Sequence, residues 1–312
     1  MLKAAVIGLG NIGFQFNLDP LRKGTRSHVA AYQKCNKTKL LGAVEVNKEK
    51  INIFKKYYKN IPVFRTVKEL MRNLSIDMVS ICTPTSSHYS ILRELIAYPI
   101  KAIFCEKPLA LNIAEGKKMI QMCKKNKVIL AVNHTRRWDS SYLFVKKIIK
   151  SGRIGKIKAI SAFYSGQIFN IGTHLFDAIS MLIEKNVEAL SGFFSDKRDN
   201  SDPSISGWIK FNGDIPCTVI TTGKKEDLIF EIDILGNEGR IRILENGQKV
   251  ECYTFTKSKR YSGYRELELM PLKMPIKKDR FVEAINNICT AIQDKKNYVC
   301  RRLFKEGGYL IH

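Results

Sequence analysis

The sequence predicts an α/β protein with a doubly wound parallel sheet, followed by an α+β domain with a large, mostly antiparallel, open sheet. In the first 130 residues, short apolar stretches alternate with stretches of helical character, which is the pattern of parallel strands joined by helices. After about residue 150, the chain changes to apolar–polar alternation broken by turn signals, which is typical of antiparallel strands. We therefore expect two domains, at residues 1–134 and 135–312.

The strands expected in the first domain are apolar along their length, as strands buried on both faces are. Two helices between them begin with a capping-box pattern, because Thr66 and Asn112 each precede a Glu by three residues. Short connections between strands and helices indicate right-handed crossovers and a parallel sheet. The five strands are Lys3–Ile7, Leu40–Glu45, Asp77–Thr83, Ala102–Glu106 and Val128–Val132.

The second domain is expected to contain a strand at Lys158–Tyr164 and helices at Gly172–Ile183 and Arg280–Gln293. Six further segments have β character and are separated by hairpin turns such as Asn212-Gly213-Asp214. They lie near residues 188–195, 204–212, 215–222, 228–235, 239–245 and 249–255. Since one face of an open sheet needs a cover, we expect a homo-oligomer formed through this sheet.

The chain is basic, with 53 Lys and Arg against 29 Asp and Glu and a net charge of +24. The excess is spread along the chain: residues 1–134 hold 23 basic and 8 acidic side chains, and residues 135–312 hold 30 and 21. Nucleic-acid readout needs a defined element, and the sequence has no helix-turn-helix, zinc-finger or ribonucleoprotein motif. Nucleic-acid binding therefore rests on charge alone, and the field favours small anionic ligands instead.

The eight cysteines are scattered and form no Cys-x-x-Cys pair, so we expect buried reduced thiols and no metal site. No apolar run reaches the roughly 18 residues that a membrane helix requires. The amino terminus, from Met1 to Gly8, lacks the pattern of a signal peptide. These features predict a cytoplasmic protein without a membrane partner.

A Gly-x-Gly-x-x-Gly string, Gly8-Leu9-Gly10-Asn11-Ile12-Gly13, follows the first strand directly. Such a string alone is weak, but here it stands where the fingerprint of a dinucleotide-binding Rossmann domain belongs. The first glycine allows a tight turn, the second lets a pyrophosphate approach the backbone, and the third lets helix and strand pack closely. The helix amino terminus then offers N–H groups to phosphates.

Glu45 ends the second strand, where an acidic side chain can accept hydrogen bonds from the ribose hydroxyls of NAD. It lies 37 residues after Gly8, and we attribute the long spacing to an insertion at Gln15–Thr25. Because a carboxylate repels a 2′-phosphate, we expect NAD to be preferred over NADP. Lys48 and Lys50 lie nearby and leave NADP open.

Three further strings each follow a predicted parallel strand, at the edge where ligands bind in open α/β sheets. They are Thr83-Pro84-Thr85-Ser86-Ser87-His88, Glu106-Lys107-Pro108 and Asn133-His134-Thr135-Arg136-Arg137. With the glycine fingerprint before them, in this order, the sequence resembles the Gfo/Idh/MocA (glucose–fructose oxidoreductase, inositol dehydrogenase, rhizopine catabolism) family. The resemblance is clear from Lys3 to about Ile183.

The resemblance implies a nicotinamide-dependent oxidoreductase acting on a secondary hydroxyl, or the matching ketone, of a sugar, cyclitol or nucleotide sugar. It assigns proton transfer to Lys107 and cofactor contacts to Thr83, Pro84, His88 and Glu106, beside the glycine loop and Glu45. A desolvated lysine next to an oxidised nicotinamide is expected to have a lowered pKa, which would allow proton exchange near neutral pH.

The substrate-site signature of the family reads Gly-x-x-x-Asp-x-Gly-x-His-x-x-Asp, and this chain matches it from Gly166 onward, except at Asn170. The resemblance implies that His174 is the second acid–base group, that Asp177 orients its ring, and that Arg136 and Arg137 contact the substrate. Asn170 replaces the family's Asp and cannot take a proton, although it can still hydrogen-bond a substrate hydroxyl. That change also suits an anionic substrate group.

Two other functions stay open beside this dehydrogenase. One is a catalytically silent dinucleotide-binding sensor or partner protein, which is consistent with Asn170 in place of the family's Asp. The other is a dehydratase, a hydrolase using transient oxidation, or a different carbonyl reductase on the same scaffold.

Overall fold

The computed structural model describes residues 1–196 and 202–294 of the chain, which divide into two units. Of the described residues, unit 1 contains Met1–Thr135 together with 279–294. Unit 2 contains Arg136–Lys278.

Unit 1 is built on a six-stranded sheet in which every pair of neighbouring strands is parallel, in the order β3-β2-β1-β4-β5-β6. The order reverses between β1 and β4, which is the arrangement of a doubly wound dinucleotide-binding fold. The expected parallel sheet is confirmed. Its strands are β1 Leu2–Ile7, β2 Thr38–Val44, β3 Val63–Phe64, β4 Met78–Ile81, β5 Ala102–Cys105 and β6 Ile129–Val132.

Two helices of this unit begin at the side chains that the sequence marks as caps. The amide of Glu69 donates to Thr66 Oγ1 at 3.1 Å, and the amide of Glu115 donates to Asn112 Oδ1 at 2.9 Å. Glu69 reaches back to the amide of Arg65 rather than to that of Thr66. The helices are α1 His28–Lys34, α2 Lys48–Tyr57, α3 Val67–Asn73, α4 His88–Leu95 and α5 Ile113–Lys125.

The insertion expected after the glycine string interrupts the first helix. A helical turn starts at Gly10, whose carbonyl accepts from the amide of Phe14 at 2.9 Å, and the chain then leaves the helical path. It re-enters at α1, capped by Ser27. The amide of His28 donates to the carbonyl of Ile12 at 3.1 Å, so α1 stacks on the glycine turn as its continuation.

Unit 2 contains an eight-stranded sheet in the order β14-β13-β12-β11-β7-β10-β9-β8, in which only β7 and β10 pair in parallel. Two helices, α6 Ser140–Lys150 and α7 Thr173–Ile183, complete the unit. The mostly antiparallel sheet is confirmed. Its strands are β7 Ile157–Tyr164, β8 Val187–Asp196, β9 Ser204–Phe211, β10 Ile215–Thr221, β11 Phe230–Gly236, β12 Gly239–Leu244, β13 Lys249–Lys257 and β14 Arg265–Met270.

One face of this sheet packs against the apolar sides of α6 and α7, and Ile232 and Ile234 of β11 belong to the same buried cluster as Val145 and Leu175. The other face carries exposed apolar and polar side chains. Phe163 pairs with Ile220, and Thr218 pairs with Trp208, so these residues share that face. The sheet is therefore open on one side within a single chain.

A last helix, α8 Arg280–Asp294, belongs to unit 1, whereas the sequence analysis placed it in the second domain. Phe281 packs edge-on against the ring of His28 with centroids 5.5 Å apart, and Asp279 Oδ2 accepts from the amide of Thr25 at 3.0 Å. The helix buries its apolar side in this way, which local periodicity cannot assign to one unit or the other.

Two strands, β3 and β14, were not predicted from the sequence. β3 has only two residues, and β14 is a polar strand that, among the residues described, pairs with β13 alone at the edge of its sheet. Seven of the eight cysteines are buried free thiols, while Cys300 lies outside the described residues. Within 1–196 and 202–294, no helix is long and apolar enough to cross a membrane.

We expect Ile288→Ala to weaken unit 1 by ~2–4 kcal/mol, because this fully buried side chain of α8 leaves a cavity when it is truncated. Hydrogen exchange should become faster in α1 and β6 and stay unchanged in β11 and β12. Gln293→Ala, at an exposed position on the same helix, is the control. Faster exchange in β11 and β12 alone would show that α8 stabilises the other unit.

Candidate cofactor and substrate site

The carboxyl ends of four parallel strands carry the sequence strings of the first unit. Gly8 directly follows β1, Glu106 directly follows β5 and Asn133 directly follows β6, while Thr83 stands two residues after β4. Because β1 and β4 are neighbours at the point where the strand order reverses, these loops surround the crevice in which open α/β sheets bind ligands.

The glycine loop has the shape that a dinucleotide pyrophosphate requires. A Cβ on Gly13 would lie 2.0 Å from the carbonyl oxygen of Gly8, and one on Gly8, at φ +93°, would lie 2.8 Å from that of Cys82. A Cβ on Gly10 would meet only Lys50 Nζ, at 3.8 Å. Two glycines therefore allow close packing, and Gly10 leaves open space beside an ammonium group, with Asn11 exposed next to it. The residues present fit a dinucleotide.

Glu45 is buried, and its carboxylate ties the glycine loop to the end of β2. Oε2 accepts from the amide of Leu9 at 2.8 Å, and Oε1 accepts from the amides of Val46 and Asn47 at 2.8 and 2.9 Å. Three amide donors offset the cost of burying this charge. The side chain predicted to contact the ribose is thus also the support of the loop.

His88 joins the loop after β4 to the loop after β5. Its Nε2 lies 2.9 Å from the carbonyl oxygen of Thr83, and its Nδ1 lies 3.1 and 3.2 Å from those of Pro108 and Leu109. The ring is buried among these carbonyl groups. Cofactor contact by His88, Thr83 and Pro84 stays a prediction, and the structure assigns the His88 ring the connection of two loops.

Glu106 is a second buried carboxylate at this edge. Its Oε1 accepts from His28 Nε2 at 2.8 Å and from Asn133 Nδ2 at 2.5 Å, and its Oε2 accepts from the amide of Lys107 at 3.3 Å. Burial alone would raise the pKa of Glu106, but its hydrogen bonds with His28 and Asn133 and the charge of Lys107 hold the pKa below the usual value. An ionised carboxylate therefore stands next to the half-buried Lys107.

In unit 2, the substrate signature lies on one continuous piece of chain. A π-helical turn, Ile168–Gly172, contains Asn170 and leads into α7, on which His174 is the second residue. Such turns are rare and recur at functional sites. Asn170 and His174 are both partly exposed.

Asp202 is a carboxylate at this turn that the sequence analysis missed. Its Oδ1 accepts from the amide of Phe169 at 2.7 Å, and its Oδ2 accepts from the amide of Asn170 at 3.1 Å. A negative charge thus lies against the backbone of the position where the family has Asp. An Asp-Pro step at 202–203 was the only local signal, and it does not indicate a partner more than 30 residues away.

Arg137 and Asp177 form a buried ion pair, with side chains only 7% exposed. Nε and Nη2 of Arg137 lie 2.9 and 2.7 Å from Asp177 Oδ1. Arg136 lies 3.4 Å over the ring of Phe230 and donates to Asn246. These side chains join elements of unit 2. Their roles as substrate ligands, and the orientation of His174 by Asp177, stay predictions.

The structure thus gathers the cofactor candidates at one sheet edge of unit 1 and the substrate candidates around α6 and α7 of unit 2. In the part of the chain that the structure describes, no group of His, Cys, Asp and Glu residues could hold a metal ion.

Residues 2–134 match the model of the GFO_IDH_MocA family, described as an oxidoreductase family with an NAD-binding Rossmann fold. The match covers the whole parallel sheet and each string at its carboxyl edge as far as Asn133. Residues 2–134 therefore match the NAD-binding Rossmann segment that this family model describes.

Curated relatives of this family align with the chain at moderate identity. Myo-inositol 2-dehydrogenase of Thermotoga maritima is 32% identical over 155 residues, covering 50% of this chain and 42% of the relative. The NAD⁺-dependent scyllo-inositol 2-dehydrogenase of Bacillus subtilis is 27% identical over 267 residues, covering 78% of this chain and 73% of the relative. The chain spans about half the length of several of the curated relatives it matches.

Solved structures share the fold of this chain. UDP-N-acetylglucosamine 3-dehydrogenase from Acidithiobacillus ferrooxidans superposes with a TM-score of 0.75, covering 96% of this chain and 91% of that one. The two sequences are 17% identical, so the likeness concerns the fold alone.

We expect Asp177→Asn to destabilise unit 2 by about 3–5 kcal/mol, because it leaves the buried guanidinium of Arg137 without its counter-charge. Urea unfolding followed by tryptophan fluorescence measures this, since both tryptophans, Trp138 and Trp208, lie in unit 2.

The double variant Arg137→Met/Asp177→Leu should recover part of the loss, since it removes both charges together. Lys210→Met, which breaks exposed ion pairs with Glu188 and Asp214, is the control and should change little. Additive losses in the double variant would show that the two side chains act independently.

Proposed function

We propose that this protein is an NAD-dependent oxidoreductase that transfers a hydride between nicotinamide and a secondary hydroxyl, or the matching ketone, of a small carbohydrate-like molecule. The observation that carries the proposal is the open face of Gly10 at the sheet edge where Glu106 and Lys107 follow β5. A glycine turn without a ligand would need no such opening. NAD, when bound, supplies the hydride acceptor or donor.

Lys107 is proposed to exchange the proton of the substrate hydroxyl. It follows the carboxyl end of β5, and the ionised Glu106 lies next to it. A lysine in that environment can hold or release a proton at the substrate oxygen while the reacting carbon changes oxidation state. The remaining chemistry needs only that the hydroxyl be held in place and water be kept away.

His174 is proposed as the second acid–base group, and Asn170 as a hydrogen-bonding group for a substrate hydroxyl. An imidazole suits proton transfer near neutral pH, and an amide can both donate and accept. Asp202 adds a negative charge beside Asn170 but reaches it through the backbone. Asp202 therefore supplies the negative charge of the carboxylate that the family places at position 170. Because it binds the backbone of Asn170, it does not take the place of that carboxylate toward the substrate.

The substrate class follows from the relatives. Two of them are named as inositol dehydrogenases, and a protein of the same fold is named as a nucleotide-sugar dehydrogenase. We therefore propose a sugar, a cyclitol or a nucleotide sugar. The net charge of +24 favours an anionic one.

A second candidate is a dinucleotide-binding protein without catalytic activity. Asn170 favours it, because an amide cannot replace a carboxylate in proton transfer. Both candidates share the glycine loop and Glu45, so cofactor binding does not distinguish them. Turnover of a substrate distinguishes them.

We also propose that two copies of the chain pair through the open face of the eight-stranded sheet. Phe163, Trp208 and Ile220 are between 39 and 48% exposed on that face, and such apolar surface is typical of interaction sites. A cytoplasmic location, without nucleic-acid or membrane partners, stays a prediction.

We expect Lys107→Ala to reduce turnover of a sugar or cyclitol at least ~10²-fold with little change in NAD affinity, because it removes a proton-transfer group. His174→Ala should lower turnover and flatten the pH profile. NADH absorbance measures turnover, and fluorescence titration measures binding. Lys117→Ala, at an exposed position on α5, is the control. Full activity in Lys107→Ala would refute the assignment, and wild-type binding without turnover on any substrate of the panel would favour the silent sensor.

We expect NAD to be used with at least ~10-fold higher kcat/KM than NADP, because the charge of Glu45 disfavours a 2′-phosphate. In Glu45→Gln the preference should narrow, and KM for both cofactors should rise, since an amide has one acceptor oxygen instead of two and cannot accept from all three N–H groups. Glu49→Gln, an exposed carboxylate of α2, should behave as wild type. A wild-type preference for NADP would contradict the prediction.

A further inference from the structure

A chain of hydrogen bonds runs through the interior of unit 1 and ends at Glu106. The hydroxyl of Tyr32 lies 2.7 Å from Ser80 Oγ, which lies 2.9 Å from His28 Nδ1, and Nε2 of that ring lies 2.8 Å from Glu106 Oε1. Tyr32, Ser80 and His28 are completely buried. Three elements, α1, β4 and the loop after β5, therefore contribute to one polar chain inside an apolar core.

The donors in this chain have one consistent direction. An ionised Glu106 can only accept, so His28 donates from Nε2. A neutral ring then accepts at Nδ1 from the hydroxyl of Ser80, which in turn accepts from Tyr32. Every group is satisfied when all the donors point toward the carboxylate, as a buried polar network requires.

Ser80, His28 and Glu106 have the order of a hydrolytic triad, but they do not serve as one. Ser80 has no exposed surface, and its oxygen is bonded to Tyr32 as well as to His28. No substrate can reach it. The chain therefore acts on the group at its other end, which is the carboxylate next to Lys107.

The surroundings make Glu106 the dominant negative charge of this region. Burial raises the pKa of the Cys82 and Cys105 thiols well above the usual value, and the charge of Glu106 raises both further, so they stay neutral. Burial likewise raises the pKa of Tyr32, which keeps its phenol neutral. Burial raises the pKa of Glu106, whereas its contacts with His28 and Asn133 and the positive charge of Lys107 lower it.

We propose that His28, supported by Ser80 and Tyr32, is a positioning residue that holds the charge of Glu106 in place and thereby sets the pH at which the Lys107 amine loses its proton. The proposal rests on the proposed function, in which Lys107 exchanges the substrate proton. His28 acts through Glu106 and touches neither substrate nor cofactor.

The test measures the pH at which the Lys107 amine loses its proton and does not require enzymatic turnover. The full-length protein is acetylated with a trace of acetic anhydride across a pH series, and peptide mass spectrometry gives the pH midpoint of labelling at Lys107, with exposed Lys117 as internal reference. In Glu106→Gln the midpoint should fall by about one pH unit or more, because a neighbouring negative charge is lost.

In His28→Leu, the midpoint should fall in the same direction, because Glu106 loses one of its two buried side-chain donors, keeps that of Asn133, and either turns to solvent or takes a proton. His28→Gln, which keeps one N–H donor, should restore at least half of the shift. In the Glu106→Gln background, His28→Leu should add nothing, since its effect passes through the carboxylate. An unchanged midpoint in folded His28→Leu, or shifts that add, would overturn the proposal.

Tyr32→Phe and Ser80→Ala keep most of the packing and test the same chain if His28→Leu does not fold. Each should give a smaller shift in the same direction, and wild-type midpoints in both would overturn the support assigned to them. The outcome is separable from the proposed function. If Lys107→Ala keeps full activity, the role of Lys107 in the proposed function is refuted, whatever the labelling shows. If Lys107→Ala is inactive and the midpoints are unchanged, only the positioning role proposed for His28 is refuted.

Discussion

The carboxyl edge of the parallel sheet depends on one constraint: a carboxylate buried there must be hydrogen-bonded on the protein side. Glu45 meets the constraint with three backbone amides, and Glu106 meets it with a histidine, an asparagine and the amide of Lys107. Each therefore holds a loop in place. The residues that carry charge into the cofactor region are also those that give the region its shape.

The same logic explains why the insertion after the glycine string is tolerated. α1 begins 15 residues after Gly13, yet His28 and Val29 donate to the carbonyls of Ile12 and Gly13 as if no chain intervened. The break lies in the loop, where added residues cost little, and the helix keeps its place against the sheet. His28 thus reaches Glu106 from the first position of the resumed helix.

The buried charges of unit 2 have different partners from those of unit 1. Arg137 and Asp177 neutralise each other in the interior, and Asp202 is bound to backbone amides at the π-helical turn. Two of the residues that a motif marks for the substrate are therefore also parts of the framework. Since a motif records which residues occur together, and not what each one touches, such double roles become visible only in the folded chain.

The sequence by itself determined the features that depend on near neighbours: the buried strands, the caps at Thr66 and Asn112, the place of the insertion and the glycine turn. Only the tertiary structure decided that α8 completes unit 1, that β14 borders the second sheet, that Asp177 pairs with Arg137 and that His28 bonds Glu106. These contacts join residues 40 to more than 200 positions apart or depend on which face an element buries. Periodicity identifies an apolar face or a polar group that needs a partner, but the partner is chosen by the packing of the whole chain.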